Sequence, residues 1–122
     1  MERGGGIVST VKATRECNFI QLRAKAEGLL KQMSTMGVTT VEGKSGYGLD
    51  KETELLQLLV MRSLNNDEHT RVDIVPTFLG AHAVPQEYNG RTDDYVDFII
   101  REEMCIRDRY LLVLLPPVRL RL

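Results

Sequence analysis

The fold is decided by the stretch at residues 77–88, which reads TFLGAHAVPQEY. It continues an apolar, β-branched run at residues 72–78, turns at Gly80 and carries His82 into a loop that Pro85 keeps from becoming helical. A strand that delivers a titratable side chain to the following loop is typical of sites in parallel α/β proteins. The stretch therefore predicts a strand and a site loop.

A second stretch has the same layout. Residues 38–50 read VTTVEGKSGYGLD, and their pattern predicts a strand at 38–42 followed by a glycine-spaced loop that carries Tyr47. Two strands are thus expected to end alike, each presenting one polar side chain.

Helices are predicted around both strands. Apolar residues at helical spacing indicate one long amphipathic helix from Ser9 or Thr10 to about Met36, which Gly37 ends. Asp50 is a good N-cap for a second helix, whose dipole favours the negative charges of the first turn.

The remaining pattern completes an α/β alternation. The second strand is predicted at residues 71–78, with apolar character continuous enough for both of its faces to be covered, and Thr92 is predicted to cap a third helix. The order helix, strand, helix, strand, helix implies parallel strands with right-handed crossovers. Two strands cannot close a parallel sheet, so the chain is expected to be a segment of something larger.

Composition narrows the function classes. The 122 residues carry a net charge of −1 and no tryptophan, which gives no basis for binding nucleic acid or an anionic membrane. No stretch approaches the roughly 20 apolar residues of a membrane span. Two distant cysteines, Cys17 and Cys105, indicate neither a disulfide framework nor a zinc knot. A cytoplasmic protein is expected.

The chemistry-bearing residues are few. With two histidines and no His-x-His pair, the chain cannot assemble the ligands of a catalytic metal site. His82 is either a hydrogen-bond donor or acid/base group at the strand end, or a loop histidine bonded to backbone. Tyr47 is either a substrate contact or a loop anchor. His69 lies in a polar helix-to-strand turn and is expected to be solvated surface.

Lys44 also has two interpretations. A lysine at a barrel strand end can bridge metals after carbamylation, but it is more often an ion-pair partner, here of Glu42. The sequence Gly43-Lys44-Ser45 lacks the upstream glycine of a phosphate loop.

The end of the chain breaks the pattern. Residues 104–109, MCIRDR, resemble the translation of a transposase-type sequencing adapter end, ATG TGT ATA AGA GAC AG. We therefore divide the chain into a native segment at 1–103 and a non-native read-through tail at 104–122. The DNA tests this, because the hypothesis requires AGA for Arg107 and GAC for Asp108.

Three blocks carry a family resemblance. They are GGGIVSTVKATR at residues 4–15, GVTTVEGKSGYGL at 37–49 and DIVPTFLGAHAVP at 73–85. In this order they closely resemble the imidazolonepropionase family of histidine degradation, in the amidohydrolase superfamily. The resemblance runs from about residue 3 to residue 103, with Gln86 standing where proline is common.

The resemblance implies a fold and an activity. The fold would be a partial (β/α)8 TIM barrel of the metal-dependent hydrolase type, with about two βα units. The activity would be hydrolysis of the cyclic amide of 4-imidazolone-5-propanoate to N-formimidoyl-L-glutamate, with one zinc or iron ion activating water. Tyr47 would contact the substrate, and His82 would donate to its ring carbonyl. Because the family uses a single metal ion, Lys44 is not expected to be a carbamylated bridge between two ions. A homodimer is a candidate assembly of the parent enzyme.

The resemblance also predicts what is missing. The family's His-x-His pair and its carboxylate-binding arginine would precede Met1, and its later histidine, glutamate and aspartate would follow Glu103. The chain is therefore expected to be an internal fragment that binds no catalytic metal and is inactive by itself. The alternatives are a fragment of a related deaminase or hydantoinase-like enzyme, and a non-catalytic βα module.

Overall fold

The computed structural model describes residues 6–103; the proposed non-native tail at 104–122 lies outside the described residues. In chain order the main elements are α1 (Ile7–Arg15), α2 (Phe19–Thr35), β1 (Thr40–Lys44), α3 (Lys51–Asn65), β2 (Asp73–Thr77) and α4 (Thr92–Phe98). Short 3-10 turns at Gly80–His82 and Gln86–Tyr88 precede α4, and a π-helical turn, Ile99–Glu103, follows it. The predicted α/β class is confirmed. No helix in this part of the chain is long and apolar enough to cross a membrane.

The two strands pair in parallel, as the alternation predicts. Their register runs from Thr40 opposite Asp73 to Lys44 opposite Thr77. Both strands begin two residues later than predicted. For β1 the reason is that the Val38 N–H still closes the end of α2 by donating to the Met33 carbonyl, at 3.1 Å. The strands end level with each other, so the loops that follow them start at the same edge of the sheet.

The prediction of one long helix before β1 is wrong. The chain forms two helices, α1 and α2, separated at residues 16–18. The Asn18 side chain accepts a hydrogen bond from the Gln21 N–H at 3.0 Å, and the Gln21 side chain accepts one from the Asn18 N–H at 2.9 Å. This reciprocal capping box starts a new helix although the apolar periodicity runs through the break.

Other predicted helix ends have mixed outcomes. Asp50 caps α3 through its side chain, which accepts from the Thr53 N–H at 2.8 Å, and Gly37 ends α2 with a positive φ of 87°. Both predictions are confirmed. Thr92 is not the cap of α4: the N-cap is Arg91, without a side-chain capping bond, and Thr92 is the first helical residue.

Helices α2 and α3 pack together against one face of the sheet. The core there consists of five buried residues, Leu30, Val60, Leu64, Val72 and Ile74. Along β2, Ile74 is 5% exposed whereas its neighbour Val75 is 55% exposed. The prediction that both faces of this strand are covered is therefore wrong for the described part of the chain. Side chains of a strand alternate between faces, and only the α2/α3 face has a covering layer here.

Candidate functional site

Two loops leave the same edge of the sheet and are joined at their base. We call residues 45–49 the first loop and residues 78–88 the second loop. The Ser45 N–H donates to the Thr77 carbonyl at 3.0 Å, and the Leu79 N–H donates to Ser45 Oγ at 3.0 Å. Ser45 is 1% exposed. Its buried hydroxyl therefore ties the start of the second loop to the first.

The structure brings together the two residues that the sequence singles out. The ring centroids of Tyr47 and His82 lie 5.2 Å apart, with a tilt of 59° between the ring planes. Tyr47 is half-buried and His82 is exposed. Within residues 6–103 the imidazole nitrogens of His82 make no hydrogen bond, so the interpretation of His82 as a histidine bonded to backbone has no support in this region.

Gly46 holds the two loops close together. Its φ is +103°, a conformation that L side chains rarely adopt. A Cβ at this position would lie 2.7 Å from the Leu79 carbonyl oxygen and 2.9 Å from His82 Cβ. A side chain at residue 46 would therefore push the second loop, including His82, away from the first.

A buried carboxylate accepts hydrogen bonds from the backbone of the first loop. Glu54, which is 1% exposed, lies in the first turn of α3 and points back into the loop. Its oxygens accept hydrogen bonds from the N–H groups of Gly46 at 2.8 Å, Gly48 at 2.7 Å and Leu49 at 2.9 Å. In the sequence, Glu54 is one of the negative charges in the first turn of the predicted helix, and that pattern does not show its bonds to the loop.

Leu49 shows how tightly this loop is held. It is the one non-glycine residue with a positive φ, 56°, in the described range, and it is 3% exposed. Such a backbone costs on the order of 1–3 kcal/mol and persists where the surroundings fix it. Here the side chain belongs to a buried apolar cluster with Val11 and Tyr95, and the N–H donates to Glu54.

Tyr95 supports the second loop. It lies on α4, is 2% exposed, and its hydroxyl donates to the Gly80 carbonyl at 2.7 Å. A buried tyrosine hydroxyl usually finds such an acceptor. The pattern of the third predicted helix does not show that the Tyr95 hydroxyl reaches this carbonyl.

Arg15 links α1 to both loops. Its Nε lies 2.6 Å from the Gly48 carbonyl oxygen and 2.8 Å from Asp50 Oδ2, while its Nη2 lies 2.8 Å from Glu87 Oε1. Burial of the guanidinium lowers its pKa, but the hydrogen bond to Glu87 and the nearby carboxylates outweigh burial, so the pKa of Arg15 is raised. Sequence analysis included Arg15 in a resemblance block without giving it a role.

Glu42 and Lys44 form an ion pair at the strand ends. Lys44 Nζ lies 3.2 Å from Glu42 Oε2, and the Thr77 hydroxyl donates to Glu42 Oε1 at 2.8 Å. The hydrogen bonds from Thr77 and then from Lys44 lower the pKa of Glu42. The geometry supports the ion-pair interpretation of Lys44.

The described residues do not supply a metal site. No group of three or more His, Cys, Asp or Glu residues that could hold an ion occurs within 6–103. A zinc or iron ion therefore does not fit the side chains of this region.

A cleft of about 570 Å³ lies at the other end of the strands, between the end of α2 and the turn before β2. His69, which lines it, is exposed as expected of solvated surface. We assign the candidate site to the loops instead, because there buried residues hold the half-buried Tyr47 ring beside the exposed His82 ring.

The fold defines the chain as a parallel α/β protein, and its candidate site is built from loops at the carboxyl ends of neighbouring strands. No family model matches it. Known proteins do: the chain is 78% identical over 106 residues to the imidazolonepropionase of Bacteroides thetaiotaomicron and 72% identical over 109 residues to that of Bacteroides fragilis. Over 102 residues it is 54% identical to the imidazolonepropionase of Clostridium tetani.

These matches cover 84–89% of this chain but only 24–26% of each relative. The chain thus spans about a quarter of the length of the curated relatives it matches. It is homologous to one segment of the imidazolonepropionases, which confirms the resemblance that the three sequence blocks predict.

Proposed function

We propose that this chain is a segment of an imidazolonepropionase and contributes two loops to its substrate site. The observation that carries the proposal is the 5.2 Å approach of Tyr47 and His82 where two parallel strands end. Active sites of (β/α)8 barrels lie at that end of the strands. Residues 6–103 would supply about two βα units of such a barrel.

The reaction we propose is hydrolysis of the C–N bond of a cyclic amide, 4-imidazolone-5-propanoate, to N-formimidoyl-L-glutamate. When water adds to the ring carbonyl, negative charge develops on its oxygen. His82, exposed and without another hydrogen-bond partner in the described region, would donate to that oxygen, and the neighbouring Tyr47 ring would contact the substrate. The zinc or iron of the complete enzyme would be held by other parts of it.

The test uses a chimera, defined as the Bacteroides thetaiotaomicron relative with its matching segment replaced by residues 6–103 of this chain. We expect the chimera to consume 4-imidazolone-5-propanoate. His82→Ala in the chimera should lower kcat by about 10²-fold, the loss typical of one preorganised donor.

The matched control is His69→Ala, which removes an exposed histidine at the opposite end of the strands. It should leave kcat unchanged. A near-normal rate for His82→Ala would remove His82 from the mechanism and overturn the proposed role of this site.

A further inference from the structure

We infer that Glu54 is a positioning residue for the reaction: its buried carboxylate fixes the first loop so that Tyr47 and His82 keep one relative placement. The inference rests on the proposed function, because it assigns a purpose to the two rings. The inference adds to the proposed site a residue, Glu54, that is too deeply buried to touch a substrate.

The first step is the anchoring of the loop. Glu54 binds the N–H groups on both sides of Tyr47, at Gly46 and Gly48, and then that of Leu49. Charged acceptors make stronger hydrogen bonds than neutral ones, and burial strengthens them further. The backbone that carries Tyr47 is therefore held on both sides by one side chain.

The second step connects this anchor to His82. Gly46 packs so closely on the second loop that a Cβ there would be 2.9 Å from His82 Cβ. The Tyr47 ring lies against the imidazole, and Ser45 binds the backbone at Leu79. Displacement of the first loop would therefore disturb all three of these contacts with the second loop, which carries His82.

The third step is the choice of residue. A glutamine has the shape of glutamate but replaces one acceptor oxygen with an N–H₂ donor. At position 54 it would turn a donor towards backbone N–H groups or leave them unbound. Gln57 Nε2, 3.4 Å from Glu54 Oε1, would face the same conflict.

The experiment is a double-mutant cycle in the chimera with Glu54→Gln and His82→Ala. We expect Glu54→Gln to lower kcat by about tenfold or more, since misplacement of reacting groups is costly, while KM changes much less. Hydrogen exchange of the peptide spanning the first loop should become faster. Glu52→Gln, an exposed change in the same helical turn, is the control and should alter none of these quantities.

The cycle separates positioning from folding. If Glu54 acts through the two rings, its kcat loss largely disappears when His82 is already alanine. Equal kcat losses in both backgrounds would overturn the inference and leave the proposed function intact, whereas a near-normal His82→Ala rate would overturn both. If Glu54→Gln does not yield folded protein, the milder Glu54→Asp is subject to the same criteria.

Discussion

Glu87 and Arg15 form an ion pair whose contribution to stability is expected to depend on pH. Burial of Glu87 raises its pKa, but the hydrogen bond from Arg15 and the charge of that guanidinium outweigh burial, so the pKa of Glu87 is lowered on folding. A carboxylate with a lowered folded pKa stabilises the fold above its unfolded pKa, and this contribution is lost as pH falls through the folded pKa.

We therefore predict that Glu87→Gln lowers the Tm of the chimera near neutral pH, and that the difference from the unmodified chimera closes as pH falls below about 4.3. Because the Glu87 side chain is 47% exposed, the loss should be no more than about 1 kcal/mol. Tm measured across a pH series checks this, with Glu52→Gln as the control. A difference that does not change with pH would contradict it.

At the level of single residues, sequence analysis found the exposed site groups and missed their buried supports. Tyr47 and His82 stand out because each follows a strand pattern. Glu54 and Tyr95 do not, because a polar side chain on a helix can point to solvent or turn inward. Only tertiary packing decides between these, and here it supplies backbone N–H groups for Glu54 and a carbonyl for Tyr95.

Among the secondary-structure elements, the break between α1 and α2 has the clearest consequence. It separates α1 from α2, and Arg15 at the end of α1 donates to the Gly48 carbonyl of the first loop. A continuous helix would keep Arg15 in line with α2, which packs on α3 around the core that contains Leu30. The capping box at Asn18 is thus connected to the site through Arg15.

We predict that Asn18→Ala destabilises the chimera by about 1 kcal/mol, the usual cost of losing an N-cap. The midpoint of urea unfolding, at an unchanged slope, measures this loss. Asn89→Ala is the matched control, since Asn89 is exposed in a loop and its side chain makes no hydrogen bond within residues 6–103. The same loss in both variants would contradict a capping role.

Sequence reasoning predicted elements well where the signal is local. The cap at Asp50 and the stop at Gly37 each depend on a few adjacent residues and are found as predicted. The helix break was missed because an apolar periodicity persists across residues 16–18. The prediction that both faces of β2 are covered was wrong. An apolar residue such as Val75 can be buried, but its presence does not show that another layer of the protein covers it.

For the whole molecule, the similarity to one segment of the imidazolonepropionases leads us to propose that the described residues form only part of a catalytic site. The described residues provide a two-stranded parallel sheet, a helical layer on one face and a braced pair of loops, but no metal ligand cluster. Catalysis by a complete imidazolonepropionase would therefore need residues from the rest of that enzyme.

We predict that the 122-residue chain by itself does not consume 4-imidazolone-5-propanoate with added zinc or iron, whereas the chimera does. The physical reason is that an ion is expected to activate water, and residues 6–103 contain no group of three or more His, Cys, Asp or Glu residues that could hold one. Substrate consumption measured at equal protein concentrations checks this. Turnover by the isolated chain, in proportion to its concentration, would contradict the proposal that catalysis needs residues from the rest of the enzyme.

The hydrogen bonds between Glu54 and the first loop connect residues that are close in the sequence. Glu54 is only five to eight residues beyond the amides it binds, so the loop and its support are encoded together in one short stretch, with the spacing Gly-x-Gly-x5-Glu at Gly46, Gly48 and Glu54. Arg15 and Leu79, by contrast, contact the loop from distant parts of the chain, so this short stretch specifies the bonds to Glu54 and not the whole environment of the loop. The same spacing is a sequence pattern that can be used to search for loops of this shape in proteins of low overall sequence identity.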